Sequence, residues 1–280
     1  MIHSLTILTI AAMTTFNDAN AQTLDFSKIK AFEHQLDDVM ELIDTTQLKI
    51  KLNEVEENYK QNPNEINKAR LGIIYHETAL NLSFFSKTEF KGYAKKSFDT
   101  LSELFNSPTT TKELLPFVAS YRASALSLVG AETKKLKLLG EAFTLFNDAV
   151  KNYATVSYLP EFLRGSVAEN LPWFFFSKRK FAKQDFQSII DKQDKNNEYA
   201  NWKIMSFTYW AWAKQRQGKK YRTQALSYLD KAIELDPNYK AGRTKAEELK
   251  TVLSEIKLQL TSVTVAQPLF SKNNSHYSAE

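Results

Sequence analysis

The chain of 280 residues contains no cysteine. That excludes disulfide staples, cysteine-ligated metals and thiol chemistry. Seven glycines and seven prolines are few for this length, which disfavours a β-rich fold built on tight turns. The glycines fall in no GxGxxG, GxxxxGK[ST] or GxSxG arrangement, so no phosphate-cradling loop or nucleophile elbow is expected. The four histidines, His3, His34, His76 and His276, form no HxxxH or HExxH pair, and no metal or cofactor is expected. His76 and Glu77 are adjacent, and neighbours on a helix point in different directions. The carboxylate clusters at Glu54, Glu56 and Glu57 and at Glu247-Glu248 read as solvated helix faces rather than acid–base pairs, so no catalytic residue is named and an enzyme is not expected. Past the N-terminus no run reaches the about 18 consecutive apolar residues of a membrane-spanning helix, so no transmembrane segment is expected in the mature chain.

What is present is helical. Lys, Glu, Leu, Ala and Phe dominate, and apolar residues recur at helical spacing throughout. The net charge of +5 is mild, with acids and bases interspersed as on solvated helix faces. Nucleic acid is not an expected partner, because the basic clusters are short and lack interleaved aromatics. The length allows one large domain with an ample core.

The stretch from Phe207 to Tyr239 is the clearest. Ala225, Leu229 and Ala232 lie at i, i+4 and i+7 on one helix face, where two alanines let a neighbouring helix come close and Leu229 fills the gap. Pro237 lacks an amide hydrogen and biases Asp236 away from the helical region, so the helix ends near Leu235. Asn238 is then a candidate cap for a following helix over 238–260. Tyr209 precedes Pro237 by 28 residues, and Ala213 supplies a small residue midway along the first helix.

This spacing resembles the tetratricopeptide repeat family, with Trp212 and Arg216 as departures where leucine and tyrosine are usual. The resemblance covers one clear unit, near 206–239. It implies an all-α solenoid of stacked antiparallel helical hairpins, and a concave surface made by each repeat's first helix. Groove-facing positions then fall on Phe207, Trp210, Lys214 and Gln217.

Elsewhere the repeat is looser. Ala94/Phe98/Leu101, Ala142/Phe146/Ala149, Ala182/Phe186/Ile189 and Ala225/Leu229/Ala232 share one small–large–apolar spacing, and their first alanines stand 48, 40 and 43 residues apart. These steps exceed the family's roughly 34 residues, which implies grown loops or diverged repeats. Each triplet follows a plausible partner helix, at 65–82, 113–129, 159–170 and 199–217. About ten to twelve helices are expected in a single domain over 22–261, with a C-terminal capping helix. Residues 25–60 read as one broken helix or two, and Asn62-Pro63-Asn64 ends that segment and caps the next helix.

Residues 1–21 have the pattern of a signal peptide, with a short apolar run from Leu5 to Met13 and Ala19-Asn20-Ala21 before a cleavage point, although no Lys or Arg precedes the run. The expected location is periplasmic or secreted. Residues 262–280 are polar and are expected to form a disordered tail.

Three further features bear on binding. Four aromatics follow Pro172, from Trp173 to Phe176, and read either as a plug between hairpins or as the aromatic wall of a pocket. Two basic clusters, at 178–183 and 214–222, are solvated turns or contacts for an acidic peptide, and lie on one rim if the hairpins stack. Arg122 and Arg164 sit inside apolar helices, as structural ion pairs or as anion anchors facing a groove. The leading expectation is an exported, non-catalytic interaction module that binds a protein segment or peptide. The alternative is a periplasmic small-ligand binder accessory to an uptake system, with Arg122, Arg164 and the Trp173–Phe176 aromatics closing a pocket between hairpins.

Overall fold

A computed structural model of the protein describes residues 24–40 and 45–265, with side chains through 255. The leader expected over 1–21 lies outside the described residues, as does the tail from 266 onward. Eleven α-helices and three single 3-10 turns are present, and no strand occurs among the described residues.

Helix α1 (Phe26–Leu36) stands apart from α2 (Thr45–Gln61), so 25–60 holds two helices. Four hairpins follow: α3 (Glu65–Leu82) with α4 (Tyr93–Asn106), α5 (Leu115–Thr133) with α6 (Leu136–Tyr153), α7 (Leu159–Glu169) with α8 (Phe176–Gln193), and α9 (Trp202–Lys214) with α10 (Arg222–Leu235). Helix α2 packs on α3 at one end, and α11 (Arg243–Val265) packs on α10 and α9 at the other. The result is an all-α helical-repeat solenoid with its C-terminal helix as a cap. Helix α11 runs through Val265, into the stretch expected as tail, and begins at Arg243 rather than at 238.

The helix boundaries follow local chemistry. Asn64 caps α3 by accepting the Asn67 amide at 2.8 Å, as its Asn-Pro-Asn context predicts. Pro116 and Pro160 sit in the first turns of α5 and α7, where the missing N–H has no partner to lose. Before α11 the capping residue is Asp236, not Asn238. The fully buried Asp236 carboxylate accepts the amides of Lys240, Ala241 and Arg243 at 2.7, 2.8 and 3.2 Å.

Three of the four triplets are buried throughout; each large apolar side chain there contributes roughly 1.5–3 kcal/mol. In the first, Phe98 is only half-buried. Ser97 takes the interior position, donating to the Gly72 carbonyl at 2.7 Å. The segment 112–133 is apolar and long enough to cross a membrane, but 72% of its window is buried in the stack. Its apolarity is that of a central core helix, touched by α3, α4, α6 and α7.

The two departures in the 206–239 unit interact. Trp212 is buried and donates through Nε1 to Gln187 Oε1 at 2.6 Å. The Arg216 guanidinium lies 4.4 Å from the Trp212 ring centroid and donates to the Lys183 carbonyl at 3.0 Å. Burial pushes the Arg216 pKa down, and the ring face and carbonyl supply its local partners.

Candidate functional site

The odd-numbered helices from α3 to α11 line a groove of about 850 Å³. The sequence folds this way because each first helix carries apolar residues on two faces: one packs on its hairpin partner, and the other faces the groove. Phe207, Trp210, Lys214 and Gln217 all line it, so the structure brings together the four positions singled out on α9 and its following turn.

Phe207 and Trp210 form an edge-to-face pair with ring centroids 5.0 Å apart, and Phe162 from α7 packs edge-on against Phe207 at 5.5 Å. Two ammonium groups stand over this platform. Lys214 Nζ is 5.0 Å from the Trp210 ring centroid, and Lys245 Nζ of α11 is 4.8 Å from Trp210 and 5.4 Å from Phe207. Lys214 Nζ also lies 2.9 Å from Glu169 Oε1, an ion-pair contact without hydrogen-bond alignment. The Lys245 stem is exposed, but its ammonium sits against the groove wall. Desolvation there, and then the Lys214 charge, hold its pKa below the ordinary lysine value. Glu169 and Glu248 lie near these two cations, yet the net effect at Lys245 is still a lowered pKa, so an incoming anion relieves the desolvation and the repulsion from Lys214.

Lys245 escapes reading from sequence because it belongs to the capping helix rather than to a repeat. Its only signal is the helical spacing of Lys245, Glu248, Leu249 and Val252, all of which line the groove.

The remaining expected site residues lie elsewhere. Arg164 faces α8, where Nε and Nη2 donate to Asp185 at 2.9 and 2.6 Å and Nη1 donates to Asn147 at 2.8 Å. Burial raises the Asp185 pKa to about 6, against the pull of Arg164. Arg122 faces α4, donating to Ser102 Oγ at 3.0 Å with its guanidinium over Phe105 and Phe98. Neither arginine lines the groove, so both are corrected from anion anchors to links between helices; a helix that must bury a cation places its partner on the next helix. Trp173 does not plug the stack; with Phe176 it lines a surface recess of about 600 Å³ between α7, α8 and α9, which neither Arg122 nor Arg164 reaches. A 3-10 turn over Trp173–Phe175 turns Trp173, Phe174 and Phe176 outward into solvent. The two basic clusters do meet on one rim, where Arg179, Lys180 and Lys183 share a surface recess with Lys214.

A buried polar chain at the groove floor escapes the sequence reading. His76 Nδ1 lies 3.0 Å from Glu77 Oε1, and Nε2 lies 2.7 Å from Ser124 Oγ on α5. The adjacent His76 and Glu77 converge instead of diverging, with Asn81 Nδ2 donating to Glu77 Oε2 at 3.2 Å. The order acid–imidazole–hydroxyl is that of a nucleophilic triad. Here Ser124 is buried inside α5, where helical hydrogen bonds engage the backbone amides that an oxyanion would need. The chain ties α3 to α5 beneath the groove.

Comparison with protein-family models, with curated proteins and with solved structures gives no match.

Proposed function

We propose that the protein is a non-catalytic, tetratricopeptide-like interaction module that binds an extended protein segment in the groove between its first helices. The supporting observation is the Phe207–Trp210 platform flanked by Lys214 and Lys245, in a groove lined by α3, α5, α7, α9 and α11. Aromatic faces supply contact area, and the lysines select a segment carrying a carboxylate beside an apolar side chain. Asn81, Asn170 and Gln217 on the walls suit hydrogen bonding to a peptide backbone. The family assignment rests on Tyr209, Ala213, Ala225, Leu229, Ala232 and Pro237. With the leader-like N-terminus, the module acts outside the cytoplasm, in the periplasm or as a secreted protein.

The small-ligand alternative loses its arginine anchors, since Arg122 and Arg164 face neighbouring helices. The test is selection from a peptide display library, followed by titration of selected peptides against Trp210→Ala and Lys245→Ala. Acidic–apolar peptides are expected to be enriched, and each substitution is expected to weaken binding at least about tenfold. Enrichment of no peptide, with a small molecule retained in the purified protein, would overturn the proposal.

A further inference from the structure

In this stack every turn from a first helix to its hairpin partner emerges on the same edge. The four turns are SFFSKTEFKG (83–92), TKKLK (133–137), NLPWFFFSKRK (170–180) and QRQGKKYR (215–222). Contacts between them fix the edge as one surface. The Gly92 amide donates to Glu132 Oε1 at 3.0 Å, joining the first turn to the second. Phe84 and Asn170 border the same groove, and Arg216 donates to the Lys183 carbonyl. Most of the strongly exposed large apolar side chains of the described residues lie here. Trp173 is 78% exposed, Phe176 76%, Phe84 74% and Phe85 72%, and Leu136 and Tyr221 accompany them. The others, Ile50, Trp202, Tyr239 and Val252, are scattered. All four turns are rich in Lys or Arg; within them the acidic residue is Glu89, paired with Lys49. Glu132 and Glu169 border the edge, engaged by the Gly92 amide and by Lys214 respectively.

We propose that this edge docks on an anionic phospholipid bilayer, inserting Trp173, Phe176, Phe84 and Phe85 among the headgroups while the turn lysines and arginines meet the phosphates. Exposed Trp and Phe are costly in water and favoured at a membrane interface, and a basic rim around them draws the edge to a negative surface. An acidic protein partner would satisfy the charges. Trp173 and Phe176 stand on one turn beside a basic recess, and Phe84 and Phe85 stand on another. Aromatic pairs spread along a basic edge, rather than gathered in one cleft, suit an extended, deformable surface. The aromatic turn is also held in place. The Arg179 guanidinium donates to the Leu171 carbonyl at 2.9 Å, and Trp173 and Phe174 pack edge to face. Ordering this turn therefore adds little cost on docking. The groove reaches this edge at Phe84, Asn170 and Gln217, so docking brings one groove end to the membrane.

The test is flotation of the purified protein with vesicles of phosphatidylcholine alone, or mixed with about one-third phosphatidylglycerol, at low and at physiological salt. Binding is expected only to the anionic vesicles, weakening as salt screens the surface. Lys178→Glu with Lys180→Glu is expected to reduce it more than about tenfold, given roughly fivefold per basic residue near such a surface. Trp173→Ser with Phe176→Ser is expected to reduce it at least as much and to abolish quenching of tryptophan emission by brominated lipid. Lys112→Glu with Lys195→Glu, on the opposite edge, is expected to leave binding within about twofold. Phe176, Lys178 and Lys180 lie at the start of α8 and the other substituted residues in turns, and an unchanged melting temperature shows that each variant is folded. Absence of binding to anionic vesicles at low salt would overturn the proposal. So would binding indifferent to loss of the aromatics, or equal effects of the two lysine pairs. Stronger, variant-sensitive binding to an acidic polypeptide or to single-stranded nucleic acid would also overturn it.

Discussion

The two edges of the solenoid differ in what closes them. On the edge where second helices turn into first helices, polar groups are buried and paired. Helix α1 lies across it: Glu33 accepts from Lys30, from Tyr158 at 2.8 Å and from Asn201 at 3.1 Å. Nearby, the Tyr199 hydroxyl donates to the Ala154 carbonyl at 2.7 Å, Lys192 bridges to Glu161 at 2.7 Å, and burial pushes the tyrosine pKa up. Asp236 gathers three amides at the last turn. Among the described residues no helix covers the opposite edge, which presents exposed aromatics among cations. One edge is closed by described parts of the chain, and the other is the edge proposed to dock. Stability is therefore expected to reside on the first and in the stack, while binding resides on the second.

The interior sets the scale against which the edges are judged. Arg164→Ala strands a buried carboxylate and is expected to cost about 3–5 kcal/mol in denaturant unfolding. Its pH dependence has a defined sign. The Asp185 pKa is raised in the folded state to about 6, so the stability this group contributes is present in acid and lost as pH rises through that value. Without the arginine the folded pKa climbs further, and the penalty measured near pH 8 is expected to shrink toward pH 5. A penalty that grows on acidification would refute this assignment.

On the closed edge, Asp236→Ala is expected to cost about 2–3 kcal/mol, because buried amides lose a charged acceptor. Calorimetry of the variant measures the loss. Glu33→Ala is expected to cost about 1–2 kcal/mol, with faster hydrogen exchange confined to α1 as that helix lifts. On the open edge, Trp173→Ser with Phe176→Ser is expected to change stability by less than about 0.5 kcal/mol. A loss as large as that of Asp236→Ala would erase the distinction between the edges.

Local features were legible in the sequence. The small–large–apolar triplets and the Asn-Pro-Asn cap depend on neighbours within a turn or two, and spacing alone exposes them. The resemblance of 206–239 to a tetratricopeptide repeat pointed to Phe207, Trp210, Lys214 and Gln217, and these line the groove. Features that depend on distant chain segments were not. Glu33 meets a tyrosine 125 residues away, and no periodicity carries that contact. Sequence left Arg164 and Arg122 open between structural links and groove anchors, because their partners stand on neighbouring helices. The outward aromatics were misread for a related reason. Four in a row suggest burial when read as a helix, but a 3-10 turn after Pro172 leaves only Phe175 against the core and turns Trp173, Phe174 and Phe176 outward. The edge itself was hidden because its cations and aromatics come from four separate turns.

A last consequence belongs to Gly242. Its amide donates to Ser206 Oγ at 3.2 Å, and a Cβ there would stand 2.6 Å from the Ser206 carbonyl oxygen. Helix α11 is thus anchored against α9 at its root, while the same helix forms one groove wall through Lys245, Leu249 and Val252. A side chain at 242 would have to push α11 away from α9, shifting one groove wall without changing any residue that lines the groove. On the proposed reading, substitution there alters the breadth of bound segments.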